Sequence, residues 1–135
     1  MTLGLFREDL QMQKDGAPIK AGDSTFYVKR SGTKEYYEKR RSITQKLFGL
    51  YLQPKQEDEI KINAYVLAEY LVTGWDDVFT EDGDAVDYSI QAAKEIFLDE
   101  EYQLSLNAIL INSSWDFGNY LKLKMEEDLQ ELKKK

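Results

Sequence analysis

Neither cysteine nor histidine occurs anywhere in the 135 residues. Without cysteine there is no disulfide framework and no thiolate nucleophile, and without histidine the commonest general base and zinc ligand is missing. Long apolar runs are absent as well. Stretches such as Tyr65-Val66-Leu67-Ala68 fall far short of the ~20 residues that a membrane span requires. The stretch from Met1 to Leu10 is charged too early for a signal peptide, so the expected location is the cytoplasm in which the chain is made.

The remaining routes to chemistry fail on spacing. Asp82-Gly83-Asp84 has the outline of a calcium loop, but aligning Gly83 with the required sixth position puts Val78 first, Thr80 third and Ser89 twelfth, where carboxylates are needed. No phosphate-binding glycine-lysine loop, dinucleotide fingerprint or nucleophile elbow is present, and Ser113-Ser114 has no histidine to activate it. Adjacent acids such as Asp76-Asp77 on a turn read as solvated or capping groups. The expectation is a protein without cofactor, metal or catalytic residues, working by binding another protein.

What is there suits a folded domain. The chain is 42% hydrophobic and 13% aromatic with 32% charged residues, a balance that excludes disorder. Its length is near that of one ordinary domain, so residues 1–135 are expected to form a single unit, with a hairpin region over 1–32 and a helical region over 33–132. Net charge is −7, and it is unevenly spread. Residues 1–55 hold eleven Lys or Arg against six Asp or Glu, whereas residues 76–101 hold ten acids against Lys94 alone. Such polarity favours head-to-tail self-association or the steering of a basic partner, and its plain alternative is two solvated faces.

Turn-forming residues crowd Asp15-Gly16-Ala17-Pro18-Ile19-Lys20-Ala21-Gly22-Asp23, and Thr25-Phe26-Tyr27-Val28-Lys29 then reads as a strand closed by Gly32. From a Thr33 N-cap, Tyr36, Ile43, Leu47 and Leu50 recur at helical spacing until Pro54. A second helix from Glu57 or Asp58 is apolar over most of its circumference, through Ile60, Ile62, Ala64, Val66, Leu67, Ala68 and Leu71, and should be the central one. Gly74 then serves as its left-handed stop, with Trp75 folding back as an aromatic lid. Two shorter helices follow, one with Tyr88, Ala92, Ala93, Ile96 and Phe97 and one with Tyr102, Leu106, Ile109 and Leu110, separated by Asp99-Glu100-Glu101. A last helix, capped by Ser114 or Asp116, carries Leu121, Met125, Leu129 and Leu132 and ends in Lys133-Lys134-Lys135, cations suited to a helix C-terminus. The expected fold is mainly α, a single domain of four to five helices with a small N-terminal β-hairpin.

Lys39-Arg40-Arg41 beside Tyr36 and Tyr37 is a basic cluster, but Glu35 and Glu38 lower its field and the protein is acidic, so nucleic acid is not an expected partner. As contacts for a protein partner, the candidates are Lys39, Arg40 and Arg41 on that helix and Asp76, Asp77, Asp82 and Asp84 in the acidic connection.

The segment Leu71-Val72-Thr73-Gly74-Trp75-Asp76-Asp77-Val78, followed by Gly83, Tyr88-Ser89, Ala92-Ala93 and Ile96-Phe97-Leu98, resembles the tail assembly chaperones of long-tailed bacteriophages of the lambdoid, non-contractile type. The likeness extends back through Phe26-Tyr27-Val28 and Gly32-Thr33 with Glu35-Tyr36. It implies a scaffold that coats the tape measure protein, recruits tail tube protein in the host bacterial cytoplasm and leaves before the tail matures. It also implies a longer form made by ribosomal frameshifting, of which this chain resembles the short form. Lysine codons are adenine-rich, so Lys133-Lys134-Lys135 is the residue a slippery site would leave. The alternative from another class is an adaptor, such as a head-to-tail connector, that stays in the particle.

Overall fold

In the computed structural model, the structure describes residues 2–50 and 53–122. The last helix does not start at either expected cap: Ser114 lies within the helix Leu106–Trp115, Asp116 caps a 3-10 turn over Phe117–Tyr120, and Leu121 is extended and bridged to Glu8. Met125, Leu129, Leu132 and Lys133-Lys134-Lys135 lie outside the described residues, from 123 onward.

A short helix α1 (Leu10–Asp15) begins at Asp9, whose carboxylate accepts from the Met12 amide at 3.0 Å. Strands β1 (Ala17–Ala21) and β2 (Ser24–Val28) form a hairpin closed by Gly22-Asp23, where Gly22 adopts φ 62°. The turn-rich stretch is therefore largely strand. Pro18 is tolerated because β1 is an edge strand, where a missing N–H breaks no central ladder. Helix α2 (Lys34–Phe48) starts at Thr33, which accepts from the Tyr36 amide at 3.2 Å. Helix α3 (Gln56–Val66) runs on into a π-turn, Leu67–Leu71. Helices α4 (Ile90–Phe97) and α5 (Leu106–Trp115) complete the set. The central, most buried position expected for α3 is the observed one: Ile62, Ala64, Val66, Leu67, Ala68 and Leu71 are all buried.

The expectation of a mainly α fold with only a hairpin is overturned. The chain leaves the π-turn directly as a third strand, β3 (Val72–Asp76), antiparallel to β2, so the fold is mixed α and β, with a sheet in the order β1-β2-β3. Gly74 is correspondingly no helix stop. It sits in the strand opposite Tyr27, and its backbone is not in the left-handed region. Between Tyr27 and Val28 the register shifts, so that Phe26 faces Trp75 and Val28 faces Val72. Residues 72 and 75 would point to opposite faces of a regular strand, and the bulge turns both inward. The sheet thus adds Phe26, Val28, Val72 and Trp75 to the same core as α3, Ala93, Phe97, Leu110 and Tyr120. Phe26 meets Trp75 edge-on at 5.9 Å, and Trp75 meets Tyr88 at 5.0 Å. Among the described residues, no helix is long and apolar enough to cross a membrane.

A candidate partner-binding groove

The loop from β2 to α2 is pinned on both sides. The Ser31 amide donates to the Ser114 carbonyl at 2.9 Å, the two buried serine hydroxyls lie 2.6 Å apart, and Ser114 Oγ donates to Ile111 O at 2.6 Å. Tyr120 OH donates to the carbonyls of Val28 at 2.8 Å and Lys29 at 3.1 Å, and burial pushes its ionisation well above the usual 10.0. The Ser31–Ser114 and Tyr120 bonds join residues 83 to 92 positions apart and hold the end of α5 against the start of α2.

Gly32 lies at the centre of this junction. Its φ of 87° favours glycine, and a Cβ there would stand 3.0 Å from Cζ3 of Trp115. The Trp115 indole therefore rests on bare backbone. Its ring packs against Tyr36 edge-on at 5.4 Å, and Tyr36 packs on Tyr37 at 5.3 Å. Tyr36 is buried, whereas Tyr37 and Trp115 remain 50% and 49% exposed. Two large aromatic groups are thus fixed in place but left half open to solvent. This combination is typical of the aromatic anchors of protein interfaces.

Beside them runs a groove of two adjoining hollows that share Gln13 and Thr33. The first, about 390 Å³, is walled by Arg30, Tyr37 and Trp115; the second, about 300 Å³, by Lys14, Lys29 and Tyr70. Arg30 is ion-paired with Glu8, and the Lys29 ammonium sits 4.5 Å from the centre of the Tyr70 ring. Burial raises the ionisation of the Tyr70 hydroxyl, with Thr33 opposing by a hydrogen bond, so the phenol is neutral at physiological pH. Gln13 lines both hollows, and its Nε2 is buried without a hydrogen-bond partner.

None of the contact residues expected from the sequence lines this groove. Lys39 is half-buried on α2. Arg40 is ion-paired with Glu59 and donates to Asn63 Oδ1 at 2.8 Å, tying α2 to α3. Arg41 is exposed and, with Arg40 and Leu50, walls a third hollow of about 360 Å³ that shares Tyr37 with the first. Asp76 accepts from Tyr27 OH at 2.6 Å, and the Asp77 carbonyl accepts from Ser24 Oγ at 2.7 Å, so both close the end of the sheet. Asp82 and Asp84 are exposed on a hairpin closed by Thr80 N to Asp84 O at 2.8 Å and Val86 N to Val78 O at 2.8 Å. No hydrogen bond or ion pair among the described residues joins the basic set to the acidic set. Sequence reasoning missed Gln13, Tyr70 and Trp115 as neighbours; Gly32-Thr33 was the only local signal of the junction. Among the described residues, no group of three or more acids is placed to hold a metal ion.

The family model described as YdaY prophage protein matches residues 29–135, which take in the Gly32 junction and all of α2 to α5. The chain therefore belongs to that prophage protein family and is of phage origin. No curated protein and no solved structure matches it.

Proposed function

We propose that this member of the YdaY prophage family is a protein-binding factor of bacteriophage assembly, and specifically a tail assembly chaperone. In this reading it coats the tape measure protein in the host cytoplasm, recruits tail tube protein and is absent from the mature virion. The observation that supports it most is the fixed, half-exposed pair Tyr37 and Trp115 beside an open groove. Anchors of this kind concentrate binding energy, because rigid aromatic groups lose little entropy on contact. The prophage family membership supports the setting, and the likeness of residues 71–98 to tail assembly chaperones supports the task.

The chemistry of assembly also fits. A tape measure protein is long and prone to aggregation until it is covered, and a cover of acidic, cysteine-free subunits keeps the complex soluble. Self-association along the tape measure, and a longer frameshifted form sharing this N-terminus, belong to the same proposal.

The test is to follow the protein through induction of its prophage. The chaperone reading expects it in assembly extracts bound to the tape measure protein and missing from purified particles. Stoichiometric retention in particles would replace the chaperone with the head-to-tail connector. A larger minor product that disappears when the last lysine codons are changed synonymously is the expected sign of the frameshifted form.

A further inference from the structure

The groove carries an unmet demand. A buried donor without an acceptor is costly relative to a bonded one, and native proteins keep few of them. Gln13 Nε2 is such a donor, buried in a residue that lines both hollows. Rotation about the last side-chain torsion, which is broad and soft, turns the amide toward either hollow. The group that would satisfy it is an oxygen acceptor.

We infer that this groove receives an extended, acidic segment of another protein, one of whose carbonyl or carboxylate oxygens accepts from Gln13 Nε2. The inference rests on reading this surface as the protein-binding one. The charge of the walls selects the segment. Lys14 and Lys29 have no ion pair among the described residues, and of the two acids lining the groove Glu8 is occupied by Arg30, which leaves two ammonium groups against the single carboxylate of Glu35. A basic segment would meet an excess of positive charge, from Lys14 and from the Lys29 ammonium over the Tyr70 ring. An acidic one pairs with Lys14 and Lys29 and brings oxygens to Gln13.

The shape selects the conformation. An extended chain presents backbone carbonyls to one side and alternates its side chains every ~3.3 Å, so one stretch can place an oxygen over Gln13 and an apolar side chain against Trp115. The acidic hairpin of a second copy is not this segment, because its backbone is closed on itself through Thr80, Asp84 and Val86.

The experiment is selection of a random peptide library displayed on phage against the intact chain. Recovered peptides are then synthesised and titrated by fluorescence anisotropy against wild type, Lys14→Glu, Lys29→Glu and Trp115→Ala. The expected peptides are net negative. Their affinity drops about tenfold in either lysine variant and falls between about 50 and 300 mM salt. In the nitrogen-15 spectrum, the Gln13 side-chain amide protons move downfield on binding, a shift that a contact elsewhere would not cause. Failure to enrich any peptide, recovery of neutral or basic ones, or affinities that both lysine variants leave intact would overturn the inference. If the whole tape measure protein still binds in that case, the groove inference alone fails; if it does not bind either, the proposed function fails with it.

Discussion

Trp115 rests so closely on Gly32 that a single added methyl group would stand 3.0 Å from its ring. Gly32→Ala therefore meets two obstacles, a left-handed backbone at φ 87° and the indole itself. Left-handed geometry costs a non-glycine residue about 1–2 kcal/mol. The variant is expected to lose at least that much stability in urea titration and to shift Trp115 emission as the ring lifts. Unchanged stability and emission would mean that the indole is not held by this contact.

Tyr120 links the end of the chain's described part to β2, and its behaviour in alkali is a direct readout. Burial raises its ionisation above 10.0, so the folded state holds the proton that the unfolded state releases first. The stability from this group is complete below about pH 10 and is lost progressively as pH rises toward the folded value. Tyr27, Tyr36, Tyr70 and Tyr88 are raised in the same direction and add to the trend. Urea midpoints measured from neutral to alkaline pH should stay level and then fall. Tyr120→Phe should be less stable at neutral pH by about 1–3 kcal/mol and decline less steeply above pH 10.

Trp75 anchors the acidic hairpin to the core, since its Nε1 donates to the Val86 carbonyl at 2.7 Å and Val86 in turn closes the hairpin on Val78. Trp75→Phe keeps most of the apolar bulk and leaves that carbonyl without its donor. The expected loss is about 1–3 kcal/mol, together with faster amide exchange at Thr80 and Val86. Exchange rates equal to wild type would show the hairpin to be self-supporting.

The parts of the fold that could be read from sequence are those with local causes. The buried stripe of α3, the Thr33 cap and the strand around Phe26 to Val28 each follow from nearby residues. Strand β3 did not, because its inward residues Val72 and Trp75 are three apart and only the bulge opposite Val28 reconciles them with a strand. Strand β1 was hidden by Pro18 and the flanking glycines, which an edge position tolerates. The groove was the least visible feature, since Gln13, Tyr70 and Trp115 come together through long-range ties: Arg30 N to Gln13 O, Lys29 N to Leu71 O, Ser31 to Ser114, and Tyr120 to Val28. Arg40 and Asp76, prominent in the sequence as charges, are engaged inside the molecule by Glu59 and Tyr27.

The ion pair of Arg40 with Glu59 is partly exposed, at 21% and 44% of the respective side chains, which limits its worth. Arg40→Ala should cost about 1 kcal/mol or less. Arg40→Lys should recover little, because one ammonium cannot bond Glu59 and Asn63 in the fork that the guanidinium spans. Recovery of full stability by lysine in urea titration would show that charge alone, without geometry, joins α2 to α3.

The claim that this is a protein-binding factor using the Trp115 surface is tested most directly by co-expressing the intact chain with the tape measure protein of the same prophage and measuring the soluble complex by co-purification. Wild type should carry the tape measure protein into solution, and Trp115→Ala should lose most of it while still unfolding cooperatively, at a urea midpoint lowered by the lost packing on Tyr36 and Gly32. Absence of any complex with wild type, or an undiminished complex with Trp115→Ala, would contradict the account.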